Sequence, residues 1–205
     1  MKTLVIDSAT EACSVALFDG NTLVAGDWRM LGRGHAEQLV PMIEVLPGNG
    51  KADRIAVALG PGSFTGVRVG LAAARALAFA WNAELVGYPT LALIAAMALS
   101  EQPGGPVTVC TTGGHGEWFL QAFDAVGATA GELASLSPVA AAESTSSDLV
   151  AGSQAQALIA NRGHGTALEI WPDARSFHLL PASQLTSQAA PLYGRAPDAR
   201  LPGAA

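Results

Sequence analysis

The sequence predicts an α/β protein made of two related lobes, of which the second is reduced. Each half of the chain opens with three strand-like apolar segments and then alternates helix and strand, so the order β-β-β-α-β-α occurs twice. Such alternation places the later strands of each half in a parallel sheet. Pro103-Gly104-Gly105-Pro106 separates the halves as a linker. We expect a first lobe at 1–102, a second lobe at 107–195 and a flexible tail at 196–205.

The first half combines apolar strand patterns with three helical patterns. Asp19-Gly20-Asn21 between two apolar runs is typical of a hairpin turn. Pro41 lies inside the first helical pattern and is expected to remove one backbone hydrogen bond there. The expected strands are Thr3–Ile6, Cys13–Phe18, Leu23–Ala25, Arg54–Leu59 and about Leu85–Val86, and the expected helices are His35–Leu46, Val67–Ala80 and Thr90–Leu99.

The second half has shorter elements, interrupted by a stretch rich in Ala, Ser and Thr before Leu149. The expected strands are Val107–Thr111, Glu117–Phe123, about Gly131–Leu136 and Leu149–Ala151, and the expected helices are near Gln154–Ala160 and Ala182–Ala190.

Composition excludes several classes of protein. Half of the 205 residues are hydrophobic and 14% are charged, which excludes disorder for most of the chain. Eleven basic against seventeen acidic residues make it a poor candidate for holding nucleic acid unaided. The uncharged run Leu85–Ser100 is shorter than the roughly 20 residues of a spanning helix, so we expect a cytoplasmic protein without a membrane segment. Cys13 and Cys110 are expected to be buried, reduced thiols.

Two turns are candidates for binding phosphate. The glycine loop, Gly60–Gly66, lies between a buried strand and a helix, where amides can receive an anion, although it is neither a P-loop nor the dinucleotide fingerprint. The loop alone favours the other interpretation, a tight connection that needs glycine for its geometry. Asp7 ends a strand and is a candidate to orient a metal-bound water, but the sequence favours a hairpin with a solvated carboxylate. The candidate phosphate or nucleotide residues are Asp7, Thr10, Gly60, Gly62, Ser63, Thr65 and Gly66.

The helix after this loop is apolar in nearly every direction. Between Val67 and Ala80 its only charges are Arg68 and Arg75, so burial on more than one side is expected. Small residues spaced by four, Gly66, Gly70, Ala74 and Ala78, allow a second helix to approach closely. That helix belongs either to a partner subunit or to His35–Leu46 of the same chain, and the pattern itself is compatible with both.

Catalytic patterns are sparse. His35, His115, His164 and His178 are scattered without metal-ligand spacing, and Ser63 is not in a nucleophile-elbow motif. We therefore expect neither a metal site nor a catalytic residue.

Three motifs in the first half together resemble the TsaB (YeaZ) family, Gcp-like accessory proteins that act in making threonylcarbamoyladenosine in bacterial tRNA. They are Ile6–Leu17 (IDSATEACSVAL), His35–Pro41 (HAEQLVP) and Gly60–Gly70 (GPGSFTGVRVG), and weaker similarity follows at Gly116-Glu117 and Pro191–Arg195 (PLYGR). The resemblance implies an actin-like, Hsp70-like (ASKHA) fold, consistent with the repeated element order.

The resemblance also implies a noncatalytic scaffold. In the family, the TsaD transferase moves a threonylcarbamoyl group from threonylcarbamoyl-adenylate to the adenosine beside the anticodon, and a TsaE-type ATPase joins the complex. The implied partners are thus a TsaD-like transferase and a TsaE-like ATPase, with tRNA contacted only indirectly and a homodimer formed in isolation.

The family's pairing surface is made by its first two helices, which match His35–Leu46 and Gly66–Ala80 here. This favours the partner interpretation of the apolar helix. The expected interface residues are His35, Leu39, Met42, Ile43, Leu46, Val67, Gly70, Leu71, Ala74, Leu77 and Ala78.

The sequence departs from its relatives at three places. Thr90 and Ile94 stand where TsaD has the two histidines of its metal site, and neither replaces an imidazole. Ala9 replaces the glycine of the actin-like phosphate turn, and Thr112-Gly113-Gly114 replaces an Asp-Ala-Arg segment. We therefore expect no cofactor. The alternative is a kinase or acyltransferase of actin-like fold that binds ATP or ADP between the lobes, at Asp7 and the glycine loop, and a peptidase is the least favoured function.

Overall fold

The computed structural model describes residues 1–195 and contains two five-stranded sheets, each with its own helices. The first group comprises β1 (Lys2–Asp7), β2 (Ala12–Asp19), β3 (Thr22–Met30), α1 (His35–Glu44), β4 (Arg54–Ala58), α2 (Phe64–Trp81), β5 (Glu84–Tyr88) and α3 (Thr90–Glu101). The second comprises β6 (Val107–Thr112), β7 (Trp118–Phe123), β8 (Ala134–Leu136), α4 (Pro138–Ser144), β9 (Leu149–Ala151), α5 (Ala155–Arg162) and β10 (Thr166–Leu168). The expected flexible tail at 196–205 lies outside the described residues.

The two sheets have the same topology. The first has the order β3-β2-β1-β4-β5, and the second has the order β8-β7-β6-β9-β10, which matches it strand for strand. In each, the first strand pairs antiparallel with the second and parallel with the fourth. This repeat confirms the predicted α/β class and the duplicated actin-like fold.

The first sheet is covered on both faces, and successive residues of β1 point to opposite sides. Ile6 lies on the face covered by α2, close to Gly70. Asp7 lies on the other face, where the hydroxyl of Tyr88 reaches it. Because both faces are buried, β1 and β2 are almost continuously apolar, as expected for strands at the centre of such a sheet.

The residues after β10 return to the first lobe, and we call 171–195 the return segment. The indole Nε1 of Trp28 donates to the carbonyl of Pro172 at 3.2 Å, and the amide of Ala174 donates to Ser14 Oγ at 2.9 Å. Its 3-10 helix, Ala174–Leu179, places Phe177 against Phe18 and Tyr88, with ring centroids 6.1 and 5.5 Å apart. The segment therefore completes the hydrophobic core of the first lobe from the far end of the chain.

One sequence prediction of secondary structure was wrong, and two elements were not predicted. The helix expected at Ala182–Ala190 is only a short 3-10 turn, Ala182–Gln184, because Thr186 then pairs with Gly87 through two backbone hydrogen bonds. The Ala-, Ser- and Thr-rich stretch contains α4, which is capped by Ser137. The strand β10 was also missed. Within residues 1–195, the structure contains no helix long and apolar enough to cross a membrane.

Candidate partner surface and interlobe cleft

The glycine loop packs directly onto the turn that joins β1 and β2. The amide of Ser63 donates to the carbonyl of Ala9 at 2.7 Å, and the hydroxyl of Ser8 donates to the carbonyl of Gly66 at 2.9 Å. A Cβ atom at Gly62 would overlap the Ala9 carbonyl, and one at Gly66 would overlap that of Ser8. The two turns are therefore in contact, and glycine is required for this close approach.

Two of the amides at the start of α2 have acceptors within the chain. Ser63 is the N-cap residue, and its Oγ accepts a hydrogen bond from the amide of Gly66 at 3.2 Å. Because the Ser63 and Gly66 amides already have protein acceptors, they are not free to bind a phosphate. This geometry supports the packing interpretation of the glycine loop.

Asp7 is fully buried and does not line the cleft described below. Its carboxyl accepts hydrogen bonds from the amide of Ala9 at 3.0 Å and from the hydroxyl of Tyr88 at 3.3 Å. Burial outweighs these hydrogen bonds and raises the pKa of Asp7 to about 7. The carboxyl is thus neither the solvated group nor the metal-water ligand that the sequence suggested.

A cleft of about 780 Å³ lies between the two lobes. Of the candidate phosphate residues, Thr10, Gly62 and Ser63 line it. Gly66 is buried in the joint between the turns, Gly60 is buried beside Leu192, and Thr65 is exposed outside the cleft. A nucleotide needs free amides at the glycine loop and a carboxylate facing its phosphates. The residues present do not fit that requirement, because the loop is packed on Ala9 and Asp7 is sealed.

The second lobe contributes Thr111, His115 and Phe119 to the cleft. Thr111 is buried, and its Oγ1 has no hydrogen-bond partner within residues 1–195. At the mouth of the cleft, the guanidinium carbon of Arg68 lies 3.4 Å from the ring centroid of Phe64, a cation–π contact. The exposed ring of Phe64 is thereby held at the first turn of α2.

The expected interface residues are almost all core residues, which corrects their assignment as contact residues. All of them except Leu77 are buried by the chain's own elements. The small-residue ridge of α2 faces the sheet: a Cβ atom at Gly70 would lie 2.5 Å from Ser8 Oγ and would also contact Val57 and Ile6. Since the buried residues are covered by elements of their own chain, they do not form a surface for a partner.

The outer sides of α1 and α2 nevertheless carry exposed apolar side chains beside charged ones such as Glu37 and Arg75, and we call this region the helix-pair surface. Its largest members are Phe79 (91% exposed), Val45 (72%) and Val40 (50%). The exposed alanines Ala72 and Ala76 extend it along α2. Large exposed apolar side chains on neighbouring helices are a feature of protein–protein contact sites. The residues that the sequence pattern selected on α1 and α2 are thus mostly buried ones, and the exposed apolar side chains of these helices are different residues.

Metal and catalytic groups remain sparse in the structure. No group of three or more His, Cys, Asp or Glu side chains in residues 1–195 is arranged to hold a metal ion. Thr90 and Ile94 are both fully buried in α3.

Comparison with known proteins shows the family. The model of the family described as TsaD, tRNA N6-adenosine threonylcarbamoyltransferase, matches residues 29–172, which is most of the chain. The chain belongs to the TsaD family. Within the family, its similarity is to TsaB/YeaZ proteins. It is 39% identical over 100 residues to the tRNA threonylcarbamoyladenosine biosynthesis protein TsaB of Escherichia coli K12, a match that covers 46% of this chain and 43% of that protein.

Solved structures extend the TsaB/YeaZ similarity to both lobes. A YeaZ structure from Pseudomonas aeruginosa superimposes with a TM-score of 0.78 at 27% identity, covering 94% of this chain and 99% of that chain. Another, described as an uncharacterized protein with similarity to peptidase YEAZ from Pseudomonas aeruginosa, gives 0.81 at 28% identity, covering 95% and 99%. The sequence match to the curated TsaB relatives, in contrast, spans less than half of their length.

Proposed function

We propose that this chain is a noncatalytic subunit in the biosynthesis of threonylcarbamoyladenosine in tRNA, and that it holds a TsaD-like transferase in its active arrangement. The observation that carries the proposal is the helix-pair surface: a TsaB/YeaZ-like first lobe presents exposed apolar side chains on α1 and α2. The partner is then the related lobe of the transferase, packed helix against helix. A TsaE-like ATPase would join this pair, and tRNA would be contacted through the partners.

The chemistry of the chain's own side chains agrees with a supporting role. Thr90 and Ile94 replace the two imidazoles that the resemblance places on this helix in TsaD, and both side chains are packed into the core. Among the candidate nucleotide residues, Asp7 is sealed from the cleft, and Gly62 and Gly66 are packed closely on the β1–β2 turn. These features favour a scaffold over the alternative, a kinase or acyltransferase.

The helix-pair surface would also support self-association. In the absence of the transferase, the same apolar side chains remain exposed, and pairing two copies of the chain would cover them. A homodimer in isolation is therefore part of the proposal, and the transferase and a second copy should compete for one surface.

The docking test compares two alanines that are both exposed on helices. Ala76→Glu places a charge at the centre of the helix-pair surface, whereas Ala157→Glu places the same charge on α5 of the second lobe. We expect Ala76→Glu to weaken binding to the transferase by at least about 2 kcal/mol, or about thirtyfold in Kd, as expected at the centre of an interface. Ala157→Glu should bind like the unmodified chain. Calorimetry with the purified transferase measures both, and equal affinities would refute docking through α1 and α2.

The role itself is tested by reconstitution. Transferase, ATPase, tRNA and substrates are combined with and without this chain, and the modified nucleoside is measured by mass spectrometry. We expect little modification without the chain and restoration when it is added. Full modification in its absence would contradict the scaffold role, whatever the outcome of the docking test.

A further inference from the structure

We propose that Leu192–Arg195, at the end of the return segment, form a clasp that holds the two lobes at a fixed separation across the cleft. These residues belong to the PLYGR motif, which the proposed function does not use. The chain already crosses between the lobes at 102–106 and again between β10 and the return segment. The clasp adds a third connection, and it lies at the cleft itself, which all four of its residues line.

The first end of the clasp is fixed to the first lobe. The amide of Leu192 donates to the carbonyl of Leu59, the residue before the glycine loop, at 2.8 Å. The backbone fits closely there, because a Cβ atom at Gly60 would lie 2.8 Å from the Leu192 carbonyl oxygen. The preceding residues are fixed to α2 as well, since Arg75 Nη2 donates to the carbonyl of Ala189 at 2.7 Å.

The middle of the clasp contacts the exposed first turns of α2. Arg68 Nη2 donates to the hydroxyl of Tyr193 at 3.1 Å, and the rings of Phe64 and Tyr193 lie 6.1 Å apart. The two arginines of α2 thus have the same role, since each holds part of the return segment. This explains why an otherwise apolar helix carries charges at these two positions.

The far end of the clasp is fixed to the second lobe. Gly194 lies against the ring of Phe119 on β7, and a Cβ atom at Gly194 would overlap that ring. Arg195 Nη1 lies 3.9 Å from Glu117 Oε2, which also accepts a hydrogen bond from Ser135 Oγ at 2.6 Å. Four consecutive residues therefore contact first one lobe and then the other.

This arrangement has a mechanical consequence. Two lobes joined by a few chain crossings can close and open about a hinge. A connection at the mouth of the cleft opposes such motion, because opening has to break the Leu192 hydrogen bond or remove Gly194 from Phe119. The clasp thereby keeps the cleft, and the first turn of α2 beside it, in one geometry.

The test measures the distance between the lobes directly. Spin labels on Arg33→Cys and Gln156→Cys, which are both exposed, report this distance across the cleft by pulsed electron paramagnetic resonance. The native cysteines are fully buried and need not be removed. In this labelled full-length chain, Gly194→Val should force the clasp away from Phe119, broaden the distance distribution and shift it by several ångströms.

The matched control is Gly131→Val, in the second lobe, where an added Cβ has an ordinary contact distance of 3.6 Å to Ala122. This variant should keep the narrow distribution. A second variant, Glu117→Gln, removes the ion pair without changing the clasp residues and should broaden the distribution in the same direction but less. Hydrogen exchange should show loss of protection at the Leu192 amide in Gly194→Val, with β1 still protected. Distributions that are the same in Gly194→Val, Glu117→Gln and the control would overturn the proposal.

Discussion

The buried carboxyl of Asp7 should make the stability of the protein fall as the pH rises, and Asp7→Asn should remove this dependence. The side chain is fully buried, and burial raises its pKa from 3.8 to about 7. Its contribution to stability is therefore fully present below the unfolded pKa of 3.8 and is lost as the pH rises through about 7. In that window the folded chain binds one more proton at this site than the unfolded chain does.

The size of the effect follows from the shift. Each pH unit within the window lowers the free energy of unfolding by about 1.4 kcal/mol, so the whole shift corresponds to about 4 kcal/mol. Asparagine retains the shape and the acceptor for the Ala9 amide. Its Nδ2 can donate to Tyr88, whose hydroxyl has a second acceptor in the carbonyl of Ile6 at 3.2 Å. Asp7→Asn should therefore be more stable than the unmodified chain at pH 8 and should lose this advantage at pH 4.

The assay is denaturant unfolding followed by tryptophan fluorescence, measured for both proteins at several pH values between 4 and 8. The difference between the two free energies of unfolding cancels the other titrating groups, which are common to both chains. A difference that does not change with pH would refute the reasoning, because it would mean that Asp7 ionises as readily in the folded chain as in the unfolded one.

Two further predictions concern burial. Ala74→Glu should destabilise the first lobe by at least about 3 kcal/mol, because it places an unpaired charge in the core. Ala72→Glu, on the exposed side of the same helix, should not destabilise it. Thermal unfolding compares the two variants, and equal melting temperatures would contradict the assignment of the buried side. Cys13 and Cys110 are fully buried, which raises the pKa of each thiol to about 12. Both should react with a thiol reagent roughly 100-fold more slowly in the native protein than in denaturant, and rapid reaction of the native protein would show that this burial is wrong.

Local patterns were sufficient to predict most elements of the fold. The apolar runs of β1, β2, β6 and β7 and the alternation after them indicated both lobes, because strands and helices differ in the spacing of their apolar residues. The region 182–190 misled the prediction, since its backbone is determined by pairing with Gly87, far away in the sequence. Burial of both cysteines was predicted and is confirmed.

The sequence pattern could not predict which side of α2 faces the sheet. A helix that is apolar in every direction does not itself indicate which side meets the sheet. The contact of Gly70 with Ser8 decides the matter, and that contact depends on the joint between the glycine loop and the β1–β2 turn. Phe79, near the end of α2, follows directly after the buried Ala78 and is 91% exposed, and the sequence pattern does not distinguish these two environments.

The environment of Asp7 shows the same limit for a polar residue. Its partner Tyr88 lies 81 positions away in the chain, on a strand that is not adjacent to β1 in the sheet. No local motif reports such a contact. The candidate phosphate set was therefore divided by the tertiary structure: three of its members line the cleft and the others do not.

The position of the return segment in the chain also determines when the core of the first lobe can be completed during synthesis. Phe18 and Tyr88 precede the second lobe in the chain, but Phe177, which packs against both, is synthesised after that lobe. A nascent chain that has not yet reached the return segment therefore leaves the side chains of Phe18 and Tyr88 without this cover. The first lobe, although it is first in sequence, acquires its full hydrophobic cover only after the second has been synthesised.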